Sequence, residues 1–240
     1  MSLQGRWDDE AERWVAWARE PGHDTYWRFH REAFFELLPP VRGRALDLGC
    51  GEGRVARDLE ALGYDVAAVD ASPTMVEHAR AASPRLEVVA AEAAAMPFAD
   101  ASFDLVVAFM SLMNVDDLDA VVAETARVLV PAGLLCIAMT HPLNTAGSFA
   151  SEGEAAPFVI EEPYFEERTV SHETRRAGLA VTLHDRHRPL ERYTEALAAS
   201  GFVVERLREV TVGDRLESRD RQARWSRLPM FLHLRGRRLA

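Results

Sequence analysis

The sequence predicts an α/β fold in which a mostly parallel sheet of seven strands, the last one antiparallel, carries helices on both faces. Short apolar runs alternate along the chain with amphipathic segments, which is the pattern of β-α units. The first apolar run, "RALDLG", ends in a glycine-rich loop. The chain has 240 residues, of which 48% are hydrophobic and 28% charged, so it is long enough for one large globular domain.

The segment before the first strand is rich in aromatic residues at partly helical spacing, among them Trp7, Trp14 and Trp17. The stretch "PPVRGR" at residues 39–44 ends this segment, because paired prolines end helices. We therefore predict that residues 1–38 form an N-terminal helical lid and that residues 39–240 form a Rossmann-like domain.

Five strands alternate with helices between residues 44 and 140. The predicted strands are "RALDLG", "YDVAAVD", "LEVVAA", "FDLVVAFM" and "GLLCIAMT". Helices are predicted over Arg54–Leu62, from Pro73 onward, and over Asp116–Leu129. Gly63 ends the first helix, and Ser72 is suited to cap the second, which has Pro73 at its first position.

The regular alternation stops after Thr140. Residues 141–178 mix acidic and aromatic residues without a clear period, and we predict that they form an irregular substrate-cap insertion. "LAVTLHDRH" is consistent with one more strand, and "PLERYTEALAASGF" is an amphipathic helix closed by Gly201. "VVERLREV" and "PMFLHLRG" are predicted as the last two strands.

Charge and cysteine content limit the function classes. The formal net charge is −10, which argues against a protein that coats nucleic acid. Residues 206–240 hold ten arginines and four acidic residues, which is typical of a solvated surface or of a patch for an acidic substrate or partner. With two cysteines, no motif typical of a metal site, and no apolar run near the roughly 20 residues that span a bilayer, we expect a cytoplasmic protein without a structural metal or membrane segment.

The loop after the first strand, "LGCGEGR", places Gly49, Gly51 and Gly53 at alternate positions. In an open parallel sheet, ligands bind beyond the carboxyl ends of the strands, and glycine lets a ligand approach the main chain. The spacing differs from the G-x-G-x-x-G pattern of dinucleotide-binding proteins. Asp47 either faces the ligand or bonds the amides of its own loop. Asp70, at the end of the second strand, is placed to accept both hydroxyls of a ribose or to cap the next helix.

Four stretches resemble the successive motifs of class I S-adenosylmethionine-dependent methyltransferases. They are "LDLGCGEGRVARDL", "VAAVDASPTMVEHAR", "AAEAAAMPFADASFDLVVAFMSLMNVDD" and "ARVLVPAGLLCIAMTHP", which together cover about residues 43–142. More narrowly, they are similar to the branch that methylates small molecules and quinone precursors. The resemblance implies that S-adenosylmethionine is the cofactor and S-adenosylhomocysteine the product. The cofactor-binding residues that it implies are Asp47, Gly49, Cys50, Gly51, Gly53, Asp70, Ala71, Met75, Glu92, Ala93, Phe109, Met110 and Ser111.

The resemblance also implies a role for each of these positions. The glycine loop and Asp47 would line the methionine half and the ribose, and Asp70 would bind the ribose hydroxyls. The adenine would lie against Ala71 and Met75, with Glu92 and Ala93 at its amino edge; the family usually has Asp where this chain has Glu92. The carbonyl of Phe109 would accept from the methionine ammonium, with Met110 and Ser111 facing the transferable methyl. Met75 and Phe109 are equally typical of core positions.

Methyl transfer from a sulfonium needs positioning more than acid-base chemistry, and a base matters only when the acceptor loses a proton. His141 follows the fifth strand and is the predicted catalytic base, although a histidine in a loop can also bond the backbone. His184 and His187 are more typical of structural positions. The acidic run Glu161, Glu162, Glu166 and Glu167 suits a solvated face or a cationic acceptor, and Tyr26 and Trp27 suit either a lid or core packing.

The predicted function is transfer of a methyl group from S-adenosylmethionine to oxygen, nitrogen or carbon of a small-molecule acceptor. Nucleic acid and membrane are not expected as partners, and the sequence does not indicate an oligomeric state. Two alternatives are a non-catalytic S-adenosylmethionine-binding module and a nicotinamide-dependent oxidoreductase or epimerase. The glycine spacing and the absence of any lysine, hence of a Tyr-x-x-x-Lys pair, disfavour the nicotinamide enzyme.

Overall fold

The computed structural model describes residues 2–211 and 223–239. The predicted basic stretch 206–240 therefore lies partly outside the described residues. Eleven strands occur in the described part of the chain. They are β1 (Arg44–Leu48), β2 (Asp65–Asp70), β3 (Glu87–Ala90), β4 (Phe103–Phe109), β5 (Leu129–Thr140), β6 (Gly147–Phe149), β7 (Phe158–Ile160), β8 (Arg168–Arg176), β9 (Leu179–His187), β10 (Phe202–Val210) and β11 (Phe231–Arg238).

Seven of these strands form the main sheet, in the order β10-β11-β5-β4-β1-β2-β3. Neighbouring strands from β5 to β3 are parallel, and β11 is antiparallel to both β5 and β10. The prediction of a seven-stranded sheet whose last strand is antiparallel is confirmed. The chain proceeds from β1 to one side of the sheet and then from β4 to the other, so a crevice opens between the carboxyl ends of β1 and β4.

Helices pack on both faces of the sheet, and two separate apolar cores lie beneath them. The α-helices are α1 (Leu3–Arg19), α2 (Arg31–Phe35), α3 (Arg54–Leu62), α4 (Pro73–Ala82), α5 (Leu118–Val128) and α6 (Leu190–Ala199). As predicted, Gly63 ends α3 with a φ of 98°, and the Ser72 hydroxyl caps α4 by accepting the Met75 amide. No helix of the described residues is both long and apolar enough to cross a membrane.

The segment 141–178 is more regular than predicted. It contains a small hairpin, β6–β7, and the first strand of a second two-stranded sheet, β8–β9. The predicted strand "LAVTLHDRH" does form, as β9, but it pairs with β8 instead of joining the main sheet. Sequence periodicity missed β8 because most of its residues are exposed on both faces, so no apolar-polar alternation marks it.

Two buried histidines contact each other in the core beside the sheet. Their burial predicts that the stability of the protein decreases in acid. His30 Nδ1 lies 3.0 Å from His233 Nε2, and both side chains are fully buried. Burial lowers the pKa of His233 to about 4 and that of His30 well below its usual value, with Arg208 and Arg54 respectively adding to the effect. The folded protein therefore keeps both rings neutral, whereas the unfolded chain protonates them below about pH 6.5.

Stability is therefore expected to fall between pH 6.5 and pH 4, by roughly 2 kcal/mol per histidine from pH 7 to pH 5. Urea titrations of the wild type and of a double variant, His30→Leu with His233→Leu, measure this. The double variant should lose less stability over the same pH interval. An equal loss in both proteins would assign the acid sensitivity to other groups.

Candidate functional site

A cleft of about 1740 Å³ opens at the carboxyl ends of the parallel strands. One wall is the glycine loop and the ends of β2 and β4. The other wall is formed by α1 and by residues of β6, β8 and β9. Twelve of the thirteen predicted cofactor residues line this cleft, and Gly53 is the exception. In the described residues, no group of three or more His, Cys, Asp or Glu side chains is placed to hold a metal ion.

Gly49 requires a residue without a side chain. Its φ is +72°, and a Cβ built on it would lie 2.5 Å from the Cβ of Ser111. Ser111 cannot easily move away, because its hydroxyl donates to the Leu48 carbonyl at 2.6 Å. The loop therefore passes close under the end of β4, and both the backbone conformation and the space exclude a larger residue.

Asp70 ties the glycine loop to the end of β2. Its Oδ2 accepts the Gly51 amide at 2.8 Å, and its Oδ1 accepts the Ser72 amide at 2.9 Å. Burial raises the pKa of Asp70, while these amides oppose the shift. The capping of α4 belongs to Ser72, so Asp70 is held at the cleft wall with further lone pairs open to a ligand.

Gly53 lies where α3 packs against α4. It adopts a φ of +84° at the start of α3, and a Cβ there would lie 3.1 Å from the Cβ of Ala79 in α4. The glycine thus permits α3 and α4 to pack closely. The structure does not bring Gly53 into the cleft lining, so contact with a ligand stays a prediction.

Asp47 lies at the floor of the cleft and is 1% exposed. Its carboxylate accepts the Ala56 amide of α3, and the loop amides of Gly49 and Cys50 donate instead to Val69. Burial raises the pKa of Asp47 to about 7; the charge of Asp70 adds to the shift. Among the described residues, its Oδ2 has no hydrogen-bond partner. A buried carboxylate oxygen without a donor is the feature that a cationic ligand would complete.

The predicted adenine residues lie along the next part of the cleft. Ala71 and Met75 follow β2, and Glu92 and Ala93 follow β3. Met75 is buried against Ala11 and Val15 of α1. It therefore packs in the core and also lines the cleft. Glu92 is exposed at the rim.

The end of β4 forms the middle of the cleft. Phe109 is buried and contacts Tyr26 and Phe34 edge to face, with ring centroids 5.2 and 5.0 Å apart. Met110 has a φ of +54°, rare for a residue with a side chain, and its amide donates to the Ala138 carbonyl at 2.7 Å. This conformation redirects the chain where the methyl-facing residues are predicted, and strained backbone of this kind is common at functional sites.

Helix α1 covers the glycine loop. The Trp14 indole nitrogen lies 3.6 Å from the position of a Cβ on Gly51, and Trp14 and Trp7 pack edge to face at 5.8 Å. Asp8 bonds the Ser72 hydroxyl, and Gln4 donates to the Ala71 carbonyl at 3.3 Å. The N-terminal segment is therefore fastened to the residues predicted to hold the adenine.

His141 does not line the cleft. Its Nδ1 accepts the Leu143 amide at 3.2 Å, and its Nε2 lies 3.2 Å from Glu209 Oε1. Burial lowers the pKa of His141, and Glu209 partly offsets the effect. The ring caps the short helix after β5. The structure therefore shows the alternative in which this histidine bonds the backbone of its own loop. A role as catalytic base remains a prediction that requires the ring to leave these contacts.

The other candidates named from the sequence also lie outside the cleft lining. The Tyr26 hydroxyl donates to Asp58 at 2.5 Å in the core, whereas Trp27 is 54% exposed. His184 contacts Ser171, and His187 contacts Thr145 and the Tyr164 carbonyl. Glu167 pairs with Arg188 and Arg192, and the other acids of the run are exposed.

Sequence reasoning missed several cleft residues. Trp14, Met113, Asp185, Trp225 and Phe231 all line the cleft. The aromatic spacing of the N-terminal segment was the only signal for Trp14. The sequence does not mark Asp185 as a site residue, because "LHDRH" matches no motif. Its side chain faces the cleft only because β9 pairs with β8.

The sequence of this region matches a known family. Residues 46–137 match the family model described as "Methyltransferase domain". This segment of the chain is a methyltransferase domain. The matched segment runs from Leu46 within β1 to Ile137 within β5, and it therefore contains the glycine loop, Asp70 and the end of β4.

Relatives and solved structures agree with this assignment. A Mycobacterium tuberculosis protein described as "Probable S-adenosylmethionine-dependent methyltransferase" is 39% identical over 123 residues, which is 50% of this chain and 45% of that protein. A demethylmenaquinone methyltransferase from Beutenbergia cavernae is 37% identical over 139 residues, 57% of each chain. An S-adenosylmethionine-dependent methyltransferase structure from Mesorhizobium loti has a TM-score of 0.72 and 26% identity, covering 90% of this chain and 98% of that one. The match spans about half the length of these curated relatives.

The residues of the cleft fit S-adenosylmethionine. The Asp47 oxygen that lacks a donor suits a cationic amino acid group, and Asp70 suits hydroxyl groups. The glycine loop leaves its main chain accessible beside Trp14.

Proposed function

We propose that this protein transfers a methyl group from S-adenosylmethionine to a small-molecule acceptor. The observation that carries the proposal is the continuity of the cleft, which runs from the glycine loop and Asp70 to the apolar side chains of Phe149, Trp225 and Phe231. A cofactor bound at the loop and an acceptor bound under the cap would meet at the end of β4. The Beutenbergia relative's name supports a quinone-precursor-like acceptor.

In the half of the cleft beside the glycine loop, which we call the cofactor half, each residue would bind part of S-adenosylmethionine. Asp47 would pair with the ammonium of the methionine portion, and Asp70 would accept the ribose hydroxyls while it holds the Gly51 amide. Ala71 and Met75 would lie against the adenine, with Glu92 and Ala93 at its edge. S-adenosylmethionine would supply a methyl group already activated on a sulfonium.

The second half of the cleft suits an acceptor with an apolar ring or chain. It is lined by Met110, Phe149, Trp225, Met230 and Phe231. Trp225 and Phe149 pack edge to face at 4.8 Å, which fixes one wall. Burial of the acceptor against these side chains would exclude water and hold the acceptor atom in line with the methyl group.

The lid and cap assignments extend this proposal. Residues 1–38 would close the cofactor half through α1, and the insertion 141–178 with β9 would close the acceptor half. The reaction would take place in the cytoplasm on a free small molecule, with neither nucleic acid nor a membrane as partner. The net charge of −10 favours this over a nucleic-acid substrate.

Calorimetric titration of the full chain tests the cofactor. S-adenosylmethionine and S-adenosylhomocysteine should bind saturably, and NAD and NADP should not. Binding of a nicotinamide nucleotide alone would refute the proposal. Formation of S-adenosylhomocysteine with an acceptor library then distinguishes an enzyme from a module that only binds the cofactor.

Asp70→Ala tests the ribose assignment. We expect S-adenosylmethionine affinity to fall by about 1–3 kcal/mol, because hydrogen bonds to a charged acceptor are lost. Calorimetry measures this, with Asp65→Ala as the control, since Asp65 is an exposed acid at the other end of the same strand. Unchanged affinity in a folded Asp70 variant would show that the ribose lies elsewhere.

A further inference from the structure

The β8–β9 sheet contributes one acidic side chain, Asp185, to the acceptor half of the cleft. Six of its residues line the cleft, namely His172, Thr174, Arg175 and Arg176 on β8 and Leu183 and Asp185 on β9. His172 is paired with Leu183, and Asp185 is one alternate position further along the same face. Asp185 thus faces the ligand space by strand geometry.

Asp185 lines the cleft near the ends of β4 and β5. Together with Met113, Thr140 and Tyr193, it also lines a small pocket beside the cleft. Met113 follows β4, and Thr140 ends β5, so this carboxylate is near the strand ends where the methyl group is predicted to lie. His141, the base expected from the sequence, lacks this access because it does not line the cleft.

The surroundings leave the carboxylate without a partner in the described part of the chain: no hydrogen bond or ion pair to Asp185 is formed there. The nearby Arg188 donates to the carbonyls of Val115 and Asp116 and lies 3.3 Å from Glu167. Burial raises the pKa of Asp185 to about 7. A carboxylate that titrates near neutral pH is suited to accept a proton.

We propose that Asp185 binds the hydroxyl or N–H group of the acceptor and takes its proton during methyl transfer. This rests on the proposed function. As the acceptor atom forms its bond to the methyl carbon, the bond from that carbon to sulfur breaks and sulfur keeps the electron pair. The proton of the acceptor passes to the Asp185 carboxylate, so charge and atoms balance. The site therefore selects acceptors that combine an apolar body with one such donor.

Burial is the cause of the raised pKa of Asp185. The titratable or charged side chains of neighbouring positions that line the cleft or the small pocket with it include His172, Arg175 and Arg176 on β8, Arg186 on β9, Arg188 after β9 and Tyr193 on α6. Burial raises the pKa of Tyr193 to about 12, Arg188 opposes the shift and the charge of Asp185 adds to it, so the hydroxyl of Tyr193 stays protonated at neutral pH. Asp185 is thus the acid of this group that changes charge near pH 7.

4-Nitrophenol is a suitable probe, because its phenol and phenolate forms absorb at different wavelengths. We expect it to bind the wild type and to titrate at a higher pH when bound, because the Asp185 carboxylate disfavours a second negative charge. Asp185→Asn should weaken phenol binding at least fivefold and lower the pH at which the bound probe titrates. Glu162→Gln, which removes an exposed acid of the cap outside the cleft, should match the wild type.

Two results would overturn the proposal: no saturable binding of 4-nitrophenol to the wild type, or the same titration in the wild type and in Asp185→Asn. Calorimetry with S-adenosylhomocysteine separates this from the proposed function. Both variants should bind it within twofold of the wild type. If the wild type itself fails to bind it, the proposed function fails, while the probe still reports on Asp185.

Discussion

Gly49→Ala is expected to reduce S-adenosylmethionine affinity more than tenfold and to destabilise the fold. Alanine at a φ of +72° costs about 1–2 kcal/mol in backbone strain alone. The new methyl group would also lie 2.5 Å from the Ser111 Cβ, so the loop or the end of β4 must move. Either movement displaces the walls of the cleft. Calorimetry and urea unfolding measure the two effects.

Gly178→Ala is the matched control. Gly178 has a φ of +86° in the β8–β9 turn, and a Cβ there meets no atom within 4 Å. This variant should lose comparable backbone stability and keep its cofactor affinity. Equal affinity losses in both variants would mean that general destabilisation, rather than the loop geometry, controls binding.

The affinity for S-adenosylmethionine is expected to rise about tenfold between pH 6 and pH 8. A cationic group binds the ionised form of Asp47, and the pKa of Asp47 in the free protein is about 7. Below that pKa only a fraction of the molecules carries the ionised Asp47 that binds the cationic group. The apparent affinity is therefore reduced to that fraction of its full value. Binding below pH 7 should release a proton, which calorimetry in buffers of different ionisation enthalpy detects.

Asp47→Asn isolates this effect. The variant should bind more weakly at pH 8 and should show no proton release from this site. The ligand's own ionisation is common to both proteins and cancels in the comparison. Asp70, Arg54 and Arg57 also influence the Asp47 charge and are unchanged in the variant. A wild-type affinity curve parallel to that of the variant would refute the assignment.

The sheet and the cleft wall formed by the glycine loop were predictable because they depend on local chemistry. The glycine spacing, Ser72 before Pro73 and the apolar runs each specify one conformation, and parallel strands bring their ends together. His141 shows the limit of this reasoning. The sheet rule gives the end at which a residue lies, but the direction of its side chain depends on Leu143 and Glu209.

The acceptor half was less predictable, since it is built from long-range pairing. The position of Asp185 depends on the register of β9 with β8 and on their docking near Met113. A shift of one residue would turn Asp185 away from the cleft. Neither strand carries an alternating pattern that would specify this register in advance.

The position of β11 has a consequence for synthesis on the ribosome. β11 separates β10 from β5, so β10 has no partner in the main sheet until Phe231–Arg238 has emerged. The five parallel strands need no later segment to pair with one another. The nascent chain can therefore assemble the glycine loop and the cofactor half first. Until β11 is inserted, β5 presents an unpaired edge, which is the period when the nascent protein is most exposed to edge-to-edge aggregation.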